Sequence, residues 1–383
     1  MAGYIFSLDN ENSLHLYATQ GVYATKLSPP TRSLWKTHHE GTFADYATMQ
    51  AGDNIYFFIR RKIYGIGRLV AGHADCKFFN FPDAAVPKVT TYTTVKPQLL
   101  WDEGQNSCDQ RCVCFFEPDP FFFQLGIDID DVLSSNPNAF RMLRVFWRLS
   151  FIKFDDDENQ AFRDIILKRN QTALSNPTSD NKFDYNPYHA AASNKLLPAH
   201  GFGPGISAVL RNCADGDRLK HEMAIEAGVL HQLFIQDSQT ITIFGTWDYL
   251  SHQVAASPFK PVDYMDKMDL FGYAYLTGFR PTKSRFLVGE IKKHRGISQD
   301  VEQLMKYVDW VKDEYCHGDY EMIHAFLIAH EFESEIVKHA QDVGMRKYTV
   351  GMRPTQSFEW NNLKLVKYSF DPVALRLDFT LMT

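Results

Sequence analysis

Along the first 125 residues the apolar runs are short and closely spaced. Those at 4–8, 21–27, 54–59 and 63–71 are separated by Gly, Pro and Asn turn signals, which predicts a series of short β-strands. Strands this short and this close suggest a small barrel or sandwich. After Asn136-Pro137 the period changes. Phe140, Leu143, Phe146 and Leu149 recur at helical spacing, and 158–174 continues in the same style. Residues 175–205 are rich in Asn, Ser, Pro, Gly and Ala, with sharp turn signals at Ser175-Asn176-Pro177 and Asn186-Pro187, and read as a linker. Beyond 205 helix and strand alternate: helix 219–234, strands 269–276 and 286–291, helix 301–315, strand 321–330, helix 333–343. That alternation predicts a mixed α/β sheet. The expected architecture is an α+β multidomain chain: a β-barrel unit over 1–125, a helical segment and polar linker over 126–205, and an α/β sheet domain over 206–383.

Composition narrows the function classes. A chain of 383 residues has room for two or three domains, and 45% hydrophobic residues suffice for packed cores. The net charge of −6 means that a nucleic-acid partner must bind local basic surface. No run approaches the ~18 apolar residues of a membrane span. The first residues lack a basic flank and a long apolar centre, so no secretory signal is expected. Six Cys are too few for a disulfide scaffold, which points to a cytoplasmic protein with reduced thiols. Cys108, Cys112 and Cys114 lie close enough to raise a zinc reading, with Cys76 or a His to close the site; unligated thiols are the plainer expectation.

The chemistry concentrates around two predicted strands. Asp269 begins one; Glu290 and Lys292, two apart at the end of the next, share one face. A tight connection between the strands brings the Asp269 carboxylate beside Glu290 and Lys292. Two hard carboxylates suit Mg²⁺ or Mn²⁺, leaving positions for water and a phosphate oxygen. An ammonium nearby can orient or activate the attacking water, or stabilise developing charge. Gln303 and Tyr307, four apart, share a face of the following helix. There the amide can hold a water or phosphate, and the phenol can donate to phosphate or fix Lys292. Glu222 and Glu226 are likewise four apart on the helix before, and one of them can complete the metal's outer coordination. Arg280, Lys283, Arg285, Lys293, His294 and Arg295 are candidate phosphate contacts flanking the site.

Asp…Glu-x-Lys followed by Gln-x-x-x-Tyr resembles the PD-(D/E)XK nuclease superfamily. The stretch Val288-Gly289-Glu290-Ile291-Lys292-Lys293-His294-Arg295, with Glu302-Gln303-Leu304-Met305-Lys306-Tyr307-Val308, is similar to the NucS/EndoMS branch and to Shedu-type anti-phage nucleases. The resemblance covers roughly 219–332 and implies a restriction-endonuclease-like domain. By position it implies catalytic roles for Asp269, Glu290 and Lys292, active-site helix roles for Gln303 and Tyr307, and assistance from Glu226. The chain departs from the pattern in having no Pro before Asp269. The expectation is a DNA endonuclease using Mg²⁺ or Mn²⁺, in bacterial anti-phage defence or restriction, working as a homodimer or homotetramer because two strands need two sites. A non-catalytic nucleic-acid-binding protein with a nuclease-like fold and an RNA-directed nuclease stay open as alternatives.

In the first unit, Gly52-Asp53 precedes the run 54–59, and Gly65 and Gly67 punctuate the next run, where they permit tight bending or close backbone approach. Over 3–72 this resembles the PUA-like superfamily that includes EVE, ASCH and YTH domains. The resemblance implies a base-holding aromatic pocket, for which Trp35, Tyr46 and Trp101 are candidates, packed core being the alternative for each. It also allows a regulatory job in which the unit masks the nuclease or binds a phage-derived trigger.

Overall fold

Strands buried on both faces carry near-continuous apolar runs rather than alternating ones. The inner strands of the first sheet are of that kind: in β1 (Gly3–Ser7) four of five residues are buried. The computed structural model describes residues 2–26, 37–70, 79–81, 91–123, 125–140, 149–176, 182–195, 205–256 and 266–382. It divides into two compact units, Met1–Asn212 and Cys213–Thr383.

In the first unit β1 is joined by β2 (Val22–Lys26), β3 (Asn54–Ile59), β4 (Lys62–Leu69), β5 (Gln110–Pro118), β6 (Ile127–Asp128) and β7 (Phe151–Phe154). Their order is β2-β5-β4-β3-β1-β7, with β6 beside β4. The β1–β3 pair is parallel and the others are antiparallel. The path is open, so the described strands make a curled half-barrel. Around it lie α1 (Glu11–Gln20), α2 (Thr37–Ala47), α3 (Tyr92–Val95), α4 (Ile129–Ser135), α5 (Asp156–Arg169), α6 (Gln171–Ser175) and α7 (Tyr188–Ser193). Ile5, Tyr56, Ile63, Phe154 and Phe162 pack together in one core.

The sequence pattern hides α1, because only Leu14 and Ala18 of its ten residues are buried and no apolar stripe forms. Its ends are nonetheless well specified. The Asn10 side chain accepts from the Ser13 N–H, and Gly21 closes the helix at φ 66°. The predicted helix over 158–174 is two helices, α5 and α6, meeting at Asn170. Leu143 and Phe146 lie outside the described residues.

Gly65 sits at φ +70°, and a Cβ there would fall 2.3 Å from the Phe123 ring. Gly65→Ala therefore meets both the left-handed backbone penalty and a clash, and is expected to destabilise the protein by about 2 kcal/mol or more. Urea denaturation with an unchanged slope checks this.

α8 (Ile206–Cys213) closes the first unit, and the second opens with the hairpin β8 (Ala214–Asp215)–β9 (Arg218–Leu219). Then come α9 (Glu222–Phe234), α10 (Ser238–Phe244), β10 (Tyr249–Ser251), the pair β11 (Val254–Ala255) and β12 (Lys267–Met268), β13 (Leu270–Tyr275) and the long β14 (Lys283–Gly296). After these follow α11 (Ser298–Glu314), β15 (Ile323–Phe332), α12 (Ile336–Val343), the hairpin β16 (Arg346–Val350)–β17 (Gln356–Trp360), β18 (Leu363–Asp371) and β19 (Arg376–Leu381). The sheet order is β10-β13-β14-β15-β18-β19. β10, β13 and β14 run antiparallel, whereas β14, β15 and β18 run parallel. α11 makes the crossover between β14 and β15, so its first turn starts where β14 ends. Among the described residues, no helix is long and apolar enough to cross a membrane.

Candidate active site

The β13–β14 register pairs Leu270 with Gly289, which sets Asp269, just before β13, beside Glu290 and Ile291. Asp269 falls between β12 and β13, outside either ladder. Its carboxylate supplies the missing ladder acceptor: Oδ2 accepts from the Ile291 N–H at 2.8 Å. Two residues apart on β14, Glu290 and Lys292 emerge on one face, and Lys292 Nζ donates to Glu290 Oε1 at 2.6 Å. Lys292 Nζ also stands 3.5 Å from Asp300 Oδ1. Asp300 belongs to the first turn of α11, and its Oδ2 accepts from the Ile297 N–H at 2.9 Å.

Behind these groups lies α9, with Glu226 almost wholly buried. Glu226 Oε2 bonds His252 Nδ1 at 2.9 Å, and Oε1 accepts from Gln253 Nε2 at 3.2 Å. The same Gln253 amide donates to Asp269 Oδ1 at 2.9 Å. Glu222, one turn earlier, is exposed and accepts from the Lys293 N–H at 3.3 Å. On α11, Gln303 Nε2 donates to the Tyr307 hydroxyl at 2.6 Å. Lys292 is thus held by Glu290 and Asp300, and not by the Tyr307 phenol.

Burial raises the Asp269 carboxyl well above its usual range, and the charges of Glu226 and Glu290 push it further. Burial also lifts Glu290 to about 7, against the pull of Lys292. Glu226 is raised by burial, with His252 opposing. For Lys292 burial works downward, but Glu290, Asp300 and Asp269 outweigh it and keep the ammonium protonated. Burial, then Glu290, keeps the Tyr307 phenol protonated as well. Glu290 Oε2 is buried with no hydrogen-bond partner among the described residues. Glu226, Glu290 and the half-buried Asp269 are each pushed toward the neutral acid, and when they ionise a cation would offset their charge.

Among the described residues, no group of three or more His, Cys, Asp or Glu side chains is placed to hold a metal ion. A hexacoordinate Mg²⁺ does not require one, since one or two carboxylates plus waters and substrate phosphate suffice. Asp269 and the free Glu290 Oε2 meet that need with hard oxygen donors. Each Asp269 oxygen already accepts one hydrogen bond and keeps a second lone pair.

Several candidates fall elsewhere. Arg285 lies five residues before Glu290 on β14, about 16 Å along the strand at its usual rise, and Lys283 lies further still. Arg285 bonds the Thr246 carbonyl at 3.1 Å with its guanidinium over Trp247, and Lys283 Nζ sits over Tyr273 at 4.2 Å. Arg280 pairs with Asp248 at 2.9 Å. These three mark the far end of the β13–β14 pair; Lys293 follows Lys292 directly, and Arg295 lies as many residues beyond Glu290 as Arg285 lies before it.

Tyr46 and Trp101 do not line an open base pocket. Both are buried core residues whose polar atoms bond internally, Tyr46 to the Val113 carbonyl and Trp101 to Gln20. Aromatic rings pointing into a small curled sheet fill its interior. Trp35 lies outside the described residues. The first unit does hold an aromatic cavity of about 350 Å³, but Tyr64, Phe123 and Phe183 line it. Cys112 and Cys114 are buried, and burial pushes the Cys112 thiol well up. Cys76 lies outside the described residues.

His252, Gln253 and Asp300 are the site residues that sequence reasoning missed. Only Asp300 carried a signal, as the acid in the first turn of a helix that begins directly after the Glu-x-Lys strand.

No family model matches the chain, and no curated protein does. Among solved structures it is similar to a repair endonuclease from Pyrococcus abyssi, at 21% identity and a TM-score of 0.22 over 35% of this chain and 47% of that one. It is similar to an EndoMS–dsDNA complex at 17% identity and a TM-score of 0.21, over 34% of this chain and 46% of that one. A hypothetical protein from Leishmania major matches at 11% identity and a TM-score of 0.27, over 44% of this chain and 96% of that one. The chain spans under half the length of the first two, and likenesses this partial assign nothing to it by themselves.

Proposed function

We propose that the second unit is a metal-dependent nuclease that hydrolyses DNA phosphodiester bonds internally. The observation that carries this reading is the buried Glu290 Oε2, unbonded among the described residues, set among further carboxylates and beside a lysine held protonated. Asp269 and Glu290 would hold Mg²⁺ or Mn²⁺, which when bound supplies a Lewis acid that lowers the pKa of a coordinated water and offsets charge on the phosphate. Lys292, held as an ammonium by its acidic neighbours, would serve as a donor that orients the attacking water and stabilises developing negative charge. Tyr307 and Gln303 lie behind it as further donors. Lys293 and Arg295, beyond Lys292 on β14, supply phosphate contacts on an otherwise acidic protein.

Anti-phage defence or restriction in the bacterial cytoplasm, assembly as a homodimer or homotetramer, and a PUA-like sensing role for the first unit complete the proposal on family resemblance. With Tyr46 and Trp101 in the core, any response to a phage-derived trigger has to use other residues.

The test is cleavage of linear and circular DNA, and of RNA, with Mg²⁺ or with a chelator. Lys292→Ala is expected to lose about 10²-fold or more in rate with an unchanged circular dichroism spectrum. Parental cleavage by that variant would remove the central assignment. The closed Lys292–Glu290 ion pair favours a second reading: a nucleic-acid-binding protein without catalysis. DNA binding with no cleavage under either metal decides for it.

A further inference from the structure

We propose that Gln253 is a positioning residue that locks the Asp269 carboxylate in place, with Glu226 and His252 as its anchor. What the locked carboxylate then does rests on the nuclease reading above. One Gln253 amide nitrogen bridges Glu226 Oε1 at 3.2 Å and Asp269 Oδ1 at 2.9 Å. An amide NH₂ carries two hydrogens, so both bonds are made at once. His252 and Gln253 form the two-residue link between β10 and β11, and they take one oxygen each of Glu226. The His252 and Glu226 side chains are 1% and 2% exposed, so the anchor is fixed within the core.

The backbone of Gln253 supports the assignment. Its φ is +52°, a left-handed conformation that non-glycine residues adopt only where the surroundings impose it, and such outliers gather at functional sites. Here it delivers the amide between two acids that would otherwise face each other without a donor. Asp269 is then gripped from both sides, by Gln253 on Oδ1 and by the Ile291 N–H on Oδ2. The arrangement also gives Glu226 a role as anchor, with Oε2 on His252 and Oε1 on Gln253.

The test is Mn²⁺ binding to the full chain by calorimetry, alongside the Mg²⁺ dependence of cleavage. In Gln253→Gly the left-handed backbone is relaxed, so the fold is kept while the clamp is lost. Its Mn²⁺ dissociation constant is expected to rise about tenfold, as for other residues that orient a ligand from behind. The Mg²⁺ concentration for half-maximal cleavage should rise in step, with the rate largely recovered at saturation. Gln253→Met, which keeps the bulk and loses the donors, is expected to behave alike. Parental Mn²⁺ affinity in either folded variant, while Glu290→Gln has lost binding, overturns the clamp alone. Parental binding by Glu290→Gln overturns the metal-site reading instead, and a parent chain that binds no Mn²⁺ overturns both.

Discussion

Replacing Glu290 by Gln is expected to lower cleavage by about 10³-fold, some 4 kcal/mol of transition-state stabilisation, while making the metal-free protein more stable. The amide matches the carboxylate in shape, and its oxygen can still accept from Lys292. What it removes is the charge and the free Oε2 lone pairs that fit a cation. The parent protein holds that charge almost without solvent, and its buried Oε2 has no hydrogen-bond partner among the described residues. Neutralising it relieves a desolvation penalty of roughly 1 kcal/mol or more at neutral pH. Thermal denaturation in a chelator, run beside the cleavage assay, checks both halves. A variant that loses activity and stability together would mean that Glu290 serves the fold instead.

The second large effect is on pH. Burial raises Glu290 from its ordinary 4.5 to about 7 in the folded state, so the folded protein binds the proton more tightly than the unfolded chain does. A carboxyl shifted upward contributes stability that is complete below its unfolded pKa and disappears as pH rises through the folded one. The metal-free protein is therefore expected to lose about 3 kcal/mol between about pH 4.5 and about pH 8 from this group alone. The Asp269 carboxyl, raised by burial and then by its acidic neighbours, adds to the trend. Added Mg²⁺ should restore stability at the upper end, where the carboxylates are ionised and free to bind it. Urea denaturation near pH 5 and near pH 8, with and without Mg²⁺, measures the effect. Glu290→Gln should flatten only part of the slope, because Asp269 still titrates.

How much of this was legible in the sequence depended on the distance over which local rules act. Glu290 and Lys292 share a face because strand side chains repeat every two residues, and Asp269 joins them through the pairing of adjacent strands. Gln303 and Tyr307 meet because they are one helical turn apart. Gln253 reaches Asp269 and Glu226 across 16 and 27 residues, from a turn whose conformation no residue type announced. Sequence proximity misled where a strand is long: β14 has 14 residues, so Arg285 and Arg295 belong to opposite ends of the sheet. In the first unit, the Gly65 and Gly67 signals matched close packing, against Phe123 and Ile55 respectively. Aromatic character alone did not separate pocket from core, and Tyr46 and Trp101 proved to be core.

Anomalous scattering from crystals grown with Mn²⁺ tests the central claim most directly. The account predicts a peak bound by Asp269 and Glu290, with carboxylate oxygens about 2.1 Å from the metal and the Lys292 ammonium alongside. Crystals saturated with Mn²⁺ that show no density between those two carboxylates, or show the metal only elsewhere, would contradict it.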